Sequence, residues 1–252
     1  MALMGKYIYC FIREKQKITF GNSAIGNLNA PVYTITCKNI SAVVSDAPII
    51  DYDPTRKNIL AHQAIVNKVI DKYTIIPVAF ATVAGKRKNV EAIIDSNYEE
   101  FEGLLDYFED KMEVGLRITW NKEYFNIDIE SDEIKRLKAI VSGKEEKKVL
   151  NEKIELGKLV EEAVLSKRKE YQEDIYEKLD KLNVKSKLKE KIPIKTVFNA
   201  YFLIEKSKEV AFDKKVLALS ELYTDKLNFN YTGPWPPYNF VDISIDMNVV
   251  SD

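Results

Sequence analysis

Apolar positions along this chain repeat with a period near two in some stretches and near three and a half in others, and each change of period marks an expected element. "KYIYCFI" at the start is aromatic and β-branched and closes at the charged turn "REKQK". "PVYTITC" and "ISAVVSDA" follow, separated only by Lys38 and Asn39, and read as a hairpin. Near Asp53-Pro54 the period lengthens. Asp53 is the expected N-cap with Pro54 at the first helical position, and Ile59, His62, Val66, Val69 and Tyr73 share one helix face. "YTIIPVAFATV" is one nearly continuous apolar run, read as a buried strand that Pro77 confines to an edge or a bulge. Beyond "AGKRKN", Val90, Ile94, Tyr98, Phe101, Leu105 and Phe108 form the apolar stripe of a single helix, with Glu99, Glu100, Glu102, Asp106 and Glu109 on its other face. Residues 1–110 therefore predict a small α+β domain, a sheet with helices on one face.

A second domain is expected over residues 111–252. "EVGLRITW" alternates, with Val114, Leu116, Ile118 and Trp120 on one face, and "YFNIDIE" reads as a further strand. From about 131 to 191 charges of both signs are dense. Leu150, Ile154, Val160, Val164, Tyr171, Ile175, Leu179 and Leu182 recur at near-helical spacing, so a long, solvent-laced helix or helical pair is expected, with Gly157 and "SKRKE" as places to bend. "TVFNAYFLIEK" is apolar on both faces and predicts a central strand. A helix with Val210, Val216, Leu217 and Leu222 on its buried side follows. In "KLNFNYT", Leu227, Phe229 and Tyr231 alternate with Asn228, Asn230 and Thr232. The order of elements, β-(β)-long α-β-α-β, reads as the ferredoxin-like pattern.

Composition narrows the chemistry. Of 252 residues, 38 are Lys or Arg and 39 Asp or Glu, so no overall field attracts nucleic acid or an anionic membrane. Two cysteines, Cys10 and Cys37, are too few for a disulfide scaffold and read as reduced core thiols of a cytosolic protein. No apolar run approaches the ~20 residues of a membrane span. His62 is the only histidine and lies on the apolar stripe, which argues for a structural role and against a metal centre or a nucleophile-base pair. "VAGKRKN" lacks the first glycine of a phosphate loop (Phe80) and its Ser/Thr (Arg87). Carboxylates in "NYEEFEGLLDYFED" lie opposite an apolar stripe, as a solvated helix face does. No catalytic, cofactor or metal site is expected.

The segment "YTGPWPPYNFV", Tyr231–Val241, is the most unusual stretch. After the alternating strand ends at Thr232, Gly233 permits an uncommon backbone shape, and Pro234, Pro236 and Pro237 exclude helix and ladder. The chain is expected to run extended, away from the sheet, with Trp235 and Tyr238 as large rings on a stiff backbone. Two roles are open for Tyr231, Gly233, Pro234, Trp235, Pro236, Pro237, Tyr238 and Phe240: covering the protein's own core, which the physics favours, or binding a partner. "FVDISIDMNVV" reads as a further strand or an ordered tail.

This segment closely resembles the C-terminal signature of the GvpL/GvpF gas vesicle proteins, Thr-Gly-Pro-Trp-Pro-Pro-Tyr-x-Phe. Upstream, "HQAIVNKVIDKYTIIPVAFATV" resembles the family's His- and Val-bearing helix and the proline-containing strand that ends in its Phe-Gly-Thr, with His62, Val66, Pro77, Phe80 and Thr82 matching. Ala79 stands where arginine is common, Ala81 where glycine is common, and Cys10 replaces a frequent glycine in the opening strand. The resemblance implies two domains, an N-terminal modified ferredoxin-like one and a C-terminal ferredoxin-like one with long helices. It also implies a non-enzymatic accessory or minor structural role in assembling the gas-filled organelle. Its implied partners are the small hydrophobic shell protein and other gas vesicle accessory proteins, with no nucleic acid and no lipid membrane, and one implied position is the gas-facing side of the wall. The alternative reading, from the fold pattern and Lys86-Arg87-Lys88 alone, is a ferredoxin-like small-ligand sensor or enzyme.

Overall fold

A computed structural model describes residues 3–144 and 149–243. They form an α+β protein with two antiparallel sheets and several helices, divided into two compact units. The first comprises residues 3–113 and 235–243, the second residues 114–234. The tail from Trp235 onward thus belongs to the first unit, whereas the sequence reading gave it to the second domain.

The first unit is built on β1 (Met4–Arg13), an internal strand of a sheet ordered β2-β3-β4-β1-β5. The expected hairpin is present as β3 (Ala30–Cys37) and β4 (Ile40–Pro48), paired from Val32↔Ser45 to Cys37↔Ile40. Strand β2 (Thr19–Ser23) was not anticipated. Its "TFGNS" has no apolar alternation to announce it, and pairing with β3 makes it a strand.

Both faces of β1 are buried. Ile8 and Phe11 pack in a cluster with Val90, Ile94, Phe101 and Leu105, the Phe11 and Phe101 ring centroids lying 4.4 Å apart. Tyr7, Tyr9, Cys10 and Ile12 join a second cluster with Ile65, Val66 and Val69. Helices therefore cover both faces of this sheet, not one. A register irregularity between Ile8 and Cys10 sends Cys10 and Ile12 to the same face as Tyr7 and Tyr9, which strict alternation from Tyr7 would not do.

Local chemistry shifts several expected boundaries. Helix α1 spans Arg56–Ile70, and its N-cap is Thr55, not Asp53: the Thr55 side chain accepts the Asn58 backbone N–H at 3.3 Å. The run at 73–83 is not one strand. β5 is only Ile75–Pro77, at the sheet edge where a proline is tolerated, and β6 is Val83–Ala84, with a loop between them. The single helix expected after it is two, α2 (Arg87–Ser96) and α3 (Tyr98–Phe108). Asn97 breaks them by donating its side-chain amide to the Ile93 carbonyl at 2.8 Å, yet its own carbonyl accepts from Phe101 N–H at 2.9 Å. The apolar stripe runs unbroken across the joint.

The second unit carries the sheet β10-β7-β9-β8. Strand β7 is Lys111–Trp120, and β9, Thr196–Glu205, is the internal strand that its two apolar faces predicted. "YFNIDIE" is a short helix, α4 (Tyr124–Asp128), not a strand. Phe125 and Ile129 are four residues apart and both buried, and the Asp128 carboxylate accepts from Trp120 Nε1 at 2.7 Å and from the Tyr171 hydroxyl at 2.8 Å. Helix α5 is Asp132–Val141 and α6 is Leu150–Tyr171. Residues 145–148, part of the expected charged helical stretch, lie outside the described residues.

No bend occurs at Gly157. Instead α6 widens into a π turn at Gln172–Tyr176 before α7 (Glu177–Asp180), and Tyr171, Ile175 and Leu179 are all buried along it. Leu150 and Ile154 of the expected stripe are exposed. "KSKL" forms an edge strand, β8 (Lys185–Leu188), whose polar sequence gave no strand signal. On α8 (Glu209–Leu222) the buried residues are Phe212, Val216 and Leu219, and Phe212 meets Phe202 at 5.2 Å between centroids. Val210, Leu217 and Leu222, assigned to the buried side from the sequence, are exposed, because the face is set by Phe212.

Two substitutions test this corrected face. Leu219→Ala should cost about 2–5 kcal/mol, as a buried leucine does. Leu222→Ala should stay within about 0.5 kcal/mol of the parent. Urea titrations of the two variants compare them directly.

Candidate functional site

The residues singled out in the tail do not form one site. β10 spans Leu227–Trp235, so the strand does not end at Thr232 but runs through Gly233 and Pro234. Tyr231, Gly233 and Pro234 lie in the second unit and Trp235, Pro236, Pro237, Tyr238 and Phe240 in the first. The Tyr231 hydroxyl donates to Asp213 Oδ1 at 2.7 Å and its ring stacks on Phe212. Desolvation first, and the Asp213 carboxylate second, push its hydroxyl pKa up.

Beyond Trp235 the backbone leaves the extended conformation. Pro236 and Pro237 are buried, and Tyr238–Phe240 is one 3-10 turn with Phe240 buried. Val241 and Ile243 pack against the cluster around Ile8 and Phe11. The remainder of the expected final strand, residues 244–252, lies outside the described residues. Trp235 and Tyr238 are the two large rings left accessible, at 37% and 36%.

Two polar contacts tie this turn down. Glu113, at the start of β7 and 3% exposed, accepts the Asn239 backbone N–H at 2.8 Å and the Asn239 side-chain amide at 2.6 Å. A buried carboxylate has to have its lone pairs satisfied, and this pair of donors does so. Glu113 lies on the face of "EVGLRITW" opposite Val114, Leu116 and Ile118. Its partner is 126 residues away, and no local spacing signals the contact.

The second contact runs through His62. Its Nδ1 lies 3.0 Å from the Tyr7 hydroxyl and its Nε2 lies 3.4 Å from the Tyr238 hydroxyl. The Tyr7 oxygen also accepts the Ala81 backbone N–H at 3.0 Å. A neutral imidazole carries one N–H, so it donates to one of the two phenols and accepts from the other. The ring lies among Tyr7, Tyr9 and Phe80, at 5.6–6.0 Å between centroids. Desolvation alone lowers its pKa to about 4. Burial likewise pushes the Tyr7 and Tyr238 hydroxyls up. A neutral imidazole between two protonated phenols thus links β1 and α1 to the tail.

The loop that Tyr7 captures has Ala81 at φ 70°, in the left-handed region that favours glycine. A glycine turn is thus made here with an alanine. Between β5 with this loop and the tail residues Tyr238, Val241 and Ile243 lies a cavity of about 310 Å³. Among the described residues, no group of three or more His, Cys, Asp or Glu side chains is placed to hold a metal ion. No helix of theirs is long and apolar enough to cross a membrane. Cys10 is a fully buried free thiol whose pKa burial raises, and Cys37 is free and partly buried.

Three outcomes follow from this geometry. Unfolded, His62 titrates near 6.5; folded, near 4. Between those values only the unfolded chain takes up the proton, so this contribution is complete above pH 6.5 and is lost as the pH falls to 4, reaching about 3 kcal/mol. Denaturation midpoints across that range should show the slope in the parent and a shallower one in His62→Gln. Ala81→Gly should raise stability by up to about 1 kcal/mol, relief of the left-handed backbone outweighing the entropy of the added glycine. Glu113→Ala, which strands the Asn239 donors, should cost about 1–3 kcal/mol in thermal melts.

Comparison with known proteins bears on the same features. The family model described as gas vesicle synthesis protein GvpL/GvpF matches residues 5–242. The chain is 25% identical over 217 residues to gas vesicle protein F1 of Halobacterium salinarum, covering 85% of this chain and 83% of that protein. It is 25% identical to gas vesicle protein L1 of the same organism, covering 94% and 90%. The crystal structure of gas vesicle protein GvpF from Anabaena superposes with a TM-score of 0.79 at 21% identity, over 95% of this chain and 99% of that one. The GvpF structure from Microcystis aeruginosa gives 0.77 at 20% identity, over 94% and 98%. The shared fold, and a family match that takes in both the His62 helix and the proline-tryptophan segment closing on it, lead to one conclusion: this chain belongs to the GvpL/GvpF family of gas vesicle proteins.

Proposed function

We propose that this protein acts in gas vesicle formation as a non-enzymatic assembly factor or minor wall component that binds the small hydrophobic shell protein. The observation that carries the reading is the family match over residues 5–242. A wall that excludes water needs subunits with large apolar faces, and such subunits aggregate unless a partner covers or orders them. Other accessory proteins of the vesicle are its further partners, and the vesicle, including the gas-facing side of its wall, is its place of action.

The contact surface in this reading centres on Trp235 and Tyr238. Both rings are partly accessible, while Pro236, Pro237, Asn239 and Phe240 between and beside them are held by the first unit. A rigidly mounted aromatic pair loses little entropy on docking and exchanges water for apolar contact. The ferredoxin-like description of the second unit belongs to the same proposal. Its support is the sheet order β10-β7-β9-β8 with helices between β7 and β8 and between β9 and β10. A modified ferredoxin-like first unit completes the two-domain reading.

The test is co-purification with the shell protein. Trp235→Ala should cost less than the ~3–5 kcal/mol of a fully buried tryptophan, since the ring is partly exposed. The same change should weaken shell-protein binding by about tenfold or more. Parent-like binding by the variant would remove the tail from the contact surface. No association in the parent, together with normal vesicles in a deletion strain, would remove the function.

A further inference from the structure

We propose that the second unit holds a binding site for the phosphate group of a small molecule, in the cavity formed by β7, β9 and the 189–196 connection. The cavity measures about 200 Å³ and its lining includes Arg117, Lys189, Lys191, Thr196 and Asn199. Three cations thus line one hollow, and no carboxylate does. Among the described residues none of the three is in an ion pair. Glu190, between the two lysines, is exposed and is not part of the lining.

This is a built hollow and not a loose basic loop. Arg168 of α6 donates Nε to the Thr196 carbonyl at 2.9 Å, and Nη2 to the carbonyls of Pro193 at 2.7 Å and Ile194 at 3.1 Å. Thr196 N–H closes on the Pro193 carbonyl at 2.9 Å, and Lys189 N–H on the Asn199 carbonyl at 2.8 Å. Arg168 holds the connection with neutral carbonyls, so its charge adds to the cationic side unneutralised. Thr196 is 1% exposed and its Oγ1 has no hydrogen-bond partner among the described residues. A buried hydroxyl left unsatisfied is uncommon and is a mark of sites that meet a ligand.

Charge and size select the occupant. A guanidinium and two ammonium groups suit a multiply charged oxyanion better than a single carboxylate, and the Asn199 amide adds a neutral donor. Pockets for drug-sized ligands run to about 300–1,000 Å³, so this hollow takes a phosphate or diphosphate group and leaves any attached organic part outside. The site uses no residue of the tail and does not depend on shell-protein binding.

The experiment is calorimetric titration of the full chain with inorganic pyrophosphate at low ionic strength, with amide NMR shifts recorded in parallel. Saturable binding tighter than about 1 mM is expected, with shifts concentrated at residues 189–199. Arg117→Gln and Lys189→Gln should each weaken it about tenfold, Arg117→Lys less, and Lys206→Gln, a surface lysine outside the cavity, not at all. All sit at exposed positions, so melting temperatures should hold. Equal losses in Lys206→Gln and Arg117→Gln would mean general charge attraction and overturn the site. So would no saturation by 10 mM, or shifts spread over the surface. A glutamate-rich peptide that binds at these residues more tightly than pyrophosphate would overturn the small-molecule assignment.

Discussion

Two tyrosine hydroxyls buried in the core by β1 constrain most of the first unit. Tyr7 and Tyr9 are fully buried, and a phenol there without partners costs more than its ring contributes. Tyr9 is satisfied by Ser45 at 2.8 Å, across the β1–β4 ladder. Tyr7 needs a donor and an acceptor from elsewhere. It takes the Ala81 N–H from the β5–β6 loop and hydrogen-bonds His62 Nδ1 on α1. Those two bonds fix the rotation of α1 and the path of residues 78–82. They also account for a backbone turn that an alanine adopts against its preference.

The tail is the last layer on that arrangement. His62 Nε2 faces the Tyr238 hydroxyl, and Glu113 grips Asn239 one residue on. The polar contacts direct the turn while Phe240, Val241 and Ile243 supply the apolar burial. Trp235 and Tyr238 keep part of their rings accessible, although the Tyr238 hydroxyl is itself one of the anchors. Within this segment Pro236, Pro237 and Phe240 are buried, while the Trp235 and Tyr238 rings keep part of their surface exposed.

The second unit follows a different logic. Its long helix is nearly half charged and, with the π turn and α7 that continue it, is held at Val164, Tyr171, Ile175 and Leu179. The π turn at Gln172–Tyr176 spends an extra residue to keep three of these on one face. Arg168 extends from the same helix to three loop carbonyls, so the helix also shapes the connection between β8 and β9. A net charge near zero over the whole chain conceals this local concentration of positive charge.

The sequence by itself determined the elements whose apolar period is long and uninterrupted: β1, the β3–β4 hairpin, α1, the α2–α3 stripe, β7 and β9. It also carried the family signature, because proline, glycine and tryptophan at fixed spacing have few other uses. Short or polar elements escaped it. β2, β8 and α4 exist through pairing or through the Asp128 contacts, and at five residues or fewer their local preferences are weak. Only the tertiary structure decided that the tail returns to the first unit, that Glu113 is buried, and that Phe212 turns α8 away from Leu217 and Leu222. Each rests on a contact between residues far apart in the chain, and alternation or helical spacing reports only which residues share a face, never what covers it.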